Sequence, residues 1–418
     1  MVKRFSAALL LLFSLHSFAQ EGTASPYSYY GLGDMRFRSP ADTRGMAGLS
    51  VIPDSIHLNL QNPAFYPSLK LTTLSTGATY ATYRLKTNDQ DEKARRTTLD
   101  YLAIGIPAGK FAGSFGLMPY TSVGYKIQDN TKDNLGNYTQ KRNYTGKGGV
   151  NKAFVGLGYQ VTKAFSIGAE FGYFFGNIET SSIYDPIVQY PTRELNTSKV
   201  SGAGFNLGAA YVTKIHKKYD FSAAVTYIPE SHLTFNNDRQ ISTIRYSGSN
   251  NQIVTVDTLS ADRTKMKVSV ASRLGFGAAF GKSKKWMAGA EFTAIGSGNA
   301  NRFADIPGTS YENGFRCVLG GYYIPKYNSF SDYWKRITYR AGFRTEKTGL
   351  VVNGKSIGDT AGTLGFGFPL NTTFSNINLG IEYGKRGTRD AGLVEENYLN
   401  FSVGLSFNDR WFVRRKYD

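Results

Sequence analysis

Charged side chains recur inside runs that otherwise alternate between apolar and small residues: Glu170, Lys267, Arg273, Glu291, Arg316, Arg340, Arg344 and Glu382. A charge in such a run must face water or find a partner, because burying it alone is costly. Both signs occur on nearby runs, and Glu291 falls between Arg273 and Arg316 in run order. Their chemistry is therefore ion pairing, either as a lattice that fills an enclosed space or as a lining along a substrate path. Covalent chemistry has less to draw on. A hydrolase needs a nucleophile beside an oriented base, yet beyond residue 19 the histidines are His57, His216 and His232, in three separate segments. The single cysteine, Cys317, sits mid-run and excludes an intrachain disulfide or a cysteine-based zinc site. No phosphate loop, metal-ligand cluster or glycosidase-like carboxylate pair stands out. No catalytic, cofactor-binding or metal-binding residue is assigned, and an enzyme is not expected.

The elements that carry these charges read as strands. From Phe165 to Gly176 the odd positions are Phe, Ile, Ala, Phe, Tyr and Phe, and the even ones Ser, Gly, Glu, Gly, Phe and Gly. This is a period of two with one apolar face. It recurs at Tyr219 to Tyr227, Val268 to Phe280, Ile377 to Tyr383 and Leu399 to Phe407. Each run approaches the ~9 to 11 residues of a tilted membrane strand. Such runs number about fourteen, centred near residues 78, 102, 116, 155, 171, 207, 225, 273, 291, 318, 342, 364, 380 and 403. Connections alternate long and short, as Lys86 to Arg96 with Pro107 to Lys110 and Ile127 to Gly148 with Thr162 to Ala164. Long outer loops and tight periplasmic turns mark an outer-membrane barrel. The expected fold is all-β, a transmembrane antiparallel barrel of about 14 strands over residues 71–412, with the apolar face outward and the charges above in the lumen. Pro119 interrupts the third strand, where a bulge or local gap is expected because proline removes a ladder hydrogen bond.

Composition agrees. Glycine, at 46 of 418 residues, exceeds the ~7% norm, and Tyr and Phe number 28 each. Residues 1–19 read as a signal peptide, with Lys3 and Arg4, a short apolar run and a Ser17-Phe18-Ala19 ending. The net charge of +18 lies mainly in turns and loops, a placement that suits phosphate-bearing membrane lipid better than nucleic acid. Residues 20–70 form an arm and a hatch, the latter read from Gly45 to Tyr66, with Asp42-Thr43 and Pro53-Asp54-Ser55 as caps of short helical turns. Asn62-Pro63 is expected to end that stretch. Residues 413–418 form a basic periplasmic tail.

Arg44-Gly45-Met46-Ala47-Gly48-Leu49, then Asn62-Pro63-Ala64, then about fourteen strands behind a signal peptide, resembles the FadL-type (FadL/TodX-like) outer-membrane transporter superfamily, which includes PorV-like barrels. The resemblance implies a fourteen-stranded barrel in the outer membrane of a Gram-negative bacterium. Gly45, Gly48, Asn62, Pro63 and Ala64 would belong to its hatch, and Pro119 would mark a lateral gate at a kink in the third strand. It implies passive uptake of a hydrophobic small molecule, such as a long-chain fatty acid, past the hatch. The PorV-like members imply the alternative, a non-transporting accessory or docking subunit of an outer-membrane protein secretion or assembly complex. The ending Asn408 to Phe412 with its basic tail would serve that alternative as a handle. Expected partners are outer-membrane lipid and lipopolysaccharide, a hydrophobic ligand or such a protein complex, with no nucleic acid and no cofactor.

Overall fold

The computed structural model describes residues 22–35, 39–132, 138–186, 189–216, 218–248, 252–297, 306–329, 331–370 and 375–411. The signal segment and the basic tail lie outside the described residues. Fourteen antiparallel strands close into a barrel. They are β1 (Thr72–Lys86), β2 (Asp91–Ala108), β3 (Phe111–Lys132), β4 (Tyr138–Gln160), β5 (Phe165–Asp185) and β6 (Thr192–Ile215). β7 runs in two segments, Tyr219–Ile228 and Ser231–Ser247, and β8 likewise as Gln252–Val270 and Arg273–Lys282. Then follow β9 (Trp286–Ile295), β10 (Gly314–Tyr323), β11 (Thr338–Val352), β12 (Lys355–Pro369), β13 (Asn376–Arg386) and β14 (Glu395–Asp409). β14 pairs back onto β1 from Asp409 opposite Thr72 to Glu395 opposite Lys86, which closes the wall. A closed sheet has no edge to expose to lipid, which is why strands can span a membrane only this way. No described helix is long and apolar enough to cross a membrane.

The period of two sets the orientation. Phe115, Leu117, Val155, Leu157, Phe171, Phe205, Leu319 and Leu364 point outward and are exposed, while their strand neighbours turn inward. Cys317 lies on the outward side of β10, half-buried. The long loops expected at the outer end are instead strand. β2 starts at Asp91, β4 at Tyr138 and the outer segment of β8 at Gln252, so the hairpins rise well beyond the apolar band. Both faces of these extensions meet water, so their sequences lose the apolar alternation that identifies a half-buried strand. Asn353 and Gly354, both at positive φ, make the tight outer turn between β11 and β12.

Two breaks reset the phase of the wall. Pro229-Glu230 and Ala271-Ser272 lie opposite each other, between the pairs Ile228–Arg273 and Val270–Ser231. Below the break Arg273, Gly275 and Ala279 face inward, whereas above it Val268 and Val270 do. One uninterrupted alternation places Lys267 in the lumen. The break shifts the phase by one residue, and Lys267 is exposed on the outside.

The N-terminal segment lies inside this wall. It contains a 3-10 turn (Pro26–Tyr29), a two-residue strand (Asp34–Met35), a one-turn helix (Ala41–Arg44) and a 3-10 turn (Pro63–Ser68). Leu49, Val51, Leu58, Ala64 and Tyr66 are each at most 1% exposed. The caps differ from expectation. Pro40 precedes the helix and Thr43 lies within it. Asp54 caps no helix, but its Oδ1 accepts from the backbone N–H groups of Ile56 and His57. Asn62 starts a turn instead of ending one, its Oδ1 accepting from Ala64 N at 2.9 Å with Pro63 in the first position.

Candidate functional site

Seven of the eight predicted lumenal charges face inward, and most of them meet the N-terminal segment or one another. Arg344 donates to Glu382 at 2.8 Å, to Asp359 at 3.3 Å and to the Tyr398 hydroxyl at 2.9 Å. Tyr398 in turn donates to Asp359 at 2.6 Å. Arg340 donates to Asn378 at 2.9 Å. Glu291 does not bridge Arg273 and Arg316. It accepts from the backbone and hydroxyl of Ser50, at 3.0 and 2.7 Å, while Arg316 donates to Ala47 O. Glu170 is buried, accepts from the Tyr66 hydroxyl at 3.0 Å and pairs with Lys152. Arg273 and Glu346 both line a cavity near the outer end.

The segment supplies charges of its own. Arg44 donates to Asp100 at 2.8 Å with both side chains buried. Asp34 accepts from Arg386 at 2.7 Å, and Ser25 donates to Glu396. His57 Nδ1 is 2.8 Å from Asp54, and its Nε2 lies 3.0 Å from the Asn378 amide. Burial opposes a charge on His57, but the carboxylates of Asp54 and Asp42 outweigh it and raise its pKa. Asp54 is half-buried; desolvation pushes its carboxyl up, but His57 and the backbone N–H of Ile56 hold it below the usual carboxylate range. Burial first, then the Glu170 carboxylate, push the Tyr66 hydroxyl well above its ordinary value, so it remains a proton donor.

The five residues expected in the hatch all contact the wall or other parts of the segment. Gly45 packs so closely on Gly365 that a Cβ there would lie 2.8 Å from its Cα. Gly48 has φ +88°, a region that favours glycine, and a Cβ would collide with the Arg316 guanidinium. Asn62 Nδ2 donates to Val225 O at 3.2 Å, and Ser166 donates to Ala64 O at 2.8 Å. Pro63 and Ala64 rest on Gly168 of β5.

Pro119 lies at an opening in the wall. The ladder between β2 and β3 runs from Ala108–Phe111 to Leu102–Leu117 and stops there. Pro119 pairs with Asn151, and a bulge at Tyr120 shifts the register before Thr121 meets Val150. Beyond it β2 continues beside β1 and β3 beside β4, but the two no longer pair with each other. Residues 22–35 lie across this opening. Thr23 O accepts from Arg96 Nε of β2 at 3.2 Å, and Ser28 Oγ accepts from Gly124 N of β3 at 3.2 Å. Asp34 and Met35 pair with Ser122 and Thr121 as a short extra strand. Tyr29 meets Tyr125 and Tyr144 edge to face at 5.0 and 6.0 Å. On the lumenal side of this arm is a cavity of about 170 Å³, whose lining combines Tyr30, Leu32, Tyr120, Leu350 and Ile357 with the charged Asp34, Arg273, Glu312, Glu346 and Arg386.

Sequence reasoning missed Asp100, Asp359, Arg386 and Glu396. Asp359, Arg386 and Glu396 sit where strands extend past the apolar band. Asp100 turns inward because it is the extra residue of a bulge, Tyr101 pairing with Gly77 and Leu99 with Ala78. No local pattern announces such a bulge.

The fold is similar to solved outer-membrane channels of the FadL type. The Pseudomonas putida toluene transporter TodX superposes with TM-score 0.60 at 14% identity, over 90% of this chain and 100% of that one. A Pseudomonas aeruginosa FadL homologue gives 0.60 at 13% identity, over 90% and 99%. The monoaromatic hydrocarbon channel CymD gives 0.58 at 14%, over 89% and 98%. A search of curated proteins finds no match. The chain shares the barrel fold of these channels. A family model named BamG matches residues 1–418, and the chain belongs to the BamG family.

Proposed function

We propose that the barrel admits a hydrophobic small molecule by passive diffusion. The compound enters the 170 Å³ cavity from the outer side and leaves through the opening between β2 and β3 when residues 22–35 move aside. The observation that carries this reading is the placement of that arm, which contributes Tyr30 and Leu32 to the cavity and Ser28 and Asp34 to the opening. In this reading residues 39–71 are the hatch that denies a direct axial route, and Pro119 keeps β3 from rejoining β2. The cavity is the size of a single ring or the end of an acyl chain, and two of the similar structures are channels for toluene and monoaromatic hydrocarbons. The test is toluene uptake into liposomes carrying the full chain. Leu350→Glu places a carboxylate beside Tyr27, Tyr30 and Ile357 and should lower uptake by about tenfold or more. Unchanged uptake by a correctly assembled variant would contradict the route.

A second reading, an accessory or docking subunit of an outer-membrane protein complex, is favoured by a different observation. Ion pairs occupy much of the lumen, and the periplasmic connection Ile324–Arg336 presents Trp334 with 71% of its surface exposed. Recovery from native membranes in a stoichiometric complex, with no toluene uptake, would favour this reading over the first.

A further inference from the structure

The barrel has a second cavity, at its periplasmic end, that the uptake route does not use. It measures about 470 Å³. Its inner wall comes from the N-terminal segment, chiefly Met46, Ile52 and Ile56, with Tyr322 of β10 packed against the same cluster. Its rim comes from two periplasmic connections, through Lys284, Tyr327 and Arg336, and from Pro369 at the end of β12.

The rim is strongly basic. Residues 282–286 and 324–336 carry Lys282, Lys284, Lys285, Lys326, Lys335 and Arg336 against a single acid, Asp332, which pairs with Lys335. It is also a built surface. Lys326 N donates to Lys335 O at 2.8 Å, Ile324 N to Lys285 O at 2.7 Å and the Tyr333 hydroxyl to Pro369 O at 3.1 Å. Lys284 lies 4.8 Å over the Tyr327 ring, and Arg336 5.2 Å over that of Tyr333. Exposed Trp334 and Tyr327 beside a half-buried Arg336 have the composition of an interface hot spot.

We propose that this cavity is a socket for an acidic extended segment of a periplasmic-facing partner protein, which inserts one apolar side chain between Ile52, Ile56 and Tyr322. The basic rim attracts the carboxylates on either side of that anchor. Deeper in, Asp42 and Asp54 line the wall together with the His57 ring and the Arg340 guanidinium. This wall of both signs offers acceptors for peptide N–H groups and donors for peptide carbonyls, neither of which an acyl chain can use. The polar wall therefore favours a peptide over an anionic lipid.

The test uses the full-length protein in detergent-free nanodiscs of phosphatidylcholine and fluorescence anisotropy with labelled synthetic nonapeptides rich in Asp and Glu. A peptide with a central Leu or Phe should bind, and its counterpart with central Ser should bind about tenfold more weakly or worse. Lys284→Glu with Arg336→Glu should weaken the Leu and Phe peptides by a similar factor. Ile56→Trp fills the socket but spares the rim, and should erase the preference for Leu over Ser. Vesicles of phosphatidylglycerol should not compete. Equal binding of the Leu and Ser peptides, no binding up to about 1 mM, or displacement by the vesicles would each overturn the proposal. Toluene uptake is measured separately, so failure here leaves the uptake reading standing.

Discussion

Single residues decide how firmly the N-terminal segment is held. Arg44 and Asp100 are both buried and mutually paired, so removing one leaves the other charged and unpaired. Asp100→Ala should destabilise the protein by about 3–5 kcal/mol, read as a lower midpoint of thermal unfolding in detergent. Arg84 and Asp91 form an equally short pair in the open, at 2.6 Å with side chains 53% and 40% exposed. Arg84→Ala should leave the midpoint unchanged, because exposed pairs are screened by solvent. A comparable fall in both variants would contradict the burial argument. Gly48→Ala combines a positive φ with a collision at Arg316 and should cost about 1–3 kcal/mol.

At the scale of elements, the wall and the segment are fitted to one another through glycines. A Cβ on Gly168 would lie 2.3 Å from the Pro63 carbonyl carbon, so Gly168→Leu should displace the Pro63–Ser68 turn while β5 keeps its place in the sheet. The expected result is a barrel that still migrates as folded on a gel but whose N-terminal segment becomes accessible to protease. Continued protection would mean that the turn is held by other contacts.

The same scale explains what the sequence could reveal. The alternation of Phe165 to Gly176 was legible because lipid lies on one side of β5 and packed side chains on the other. All fourteen expected centres fall on the strands observed. The outer extensions were not legible, since water on both faces removes the contrast from which a strand is recognised. Lys267 was misplaced because two residues at Ala271-Ser272 reset the phase, and that reset depends on the matching break at Pro229-Glu230 of the neighbouring strand. Asn62-Pro63 was read as a stop, although the same residue types open the turn that follows. Pro119 suggested a break in β3, but the arm across that break comes from residues more than eighty positions earlier and left no local mark.

For the whole molecule, the barrel is a wall whose β2–β3 ladder stops partway and whose interior is filled by its own N-terminus. Deleting residues 41–66 should leave a folded barrel that leaks small polar solutes, measured by liposome swelling. Unchanged permeability would mean that other parts of the chain close the pore. Pro119→Ala should slow toluene uptake without preventing assembly, because it lets β3 approach β2. The uptake route requires residues 22–35 to move aside, and a reversible lock can hold them in place. Met35 and Thr121 are register partners across the short extra strand, so Met35→Cys with Thr121→Cys can be joined in a Cys317→Ala background. Toluene uptake into liposomes should be lost when this pair is oxidised and restored on reduction, and uptake that persists through the oxidised lock would contradict the account.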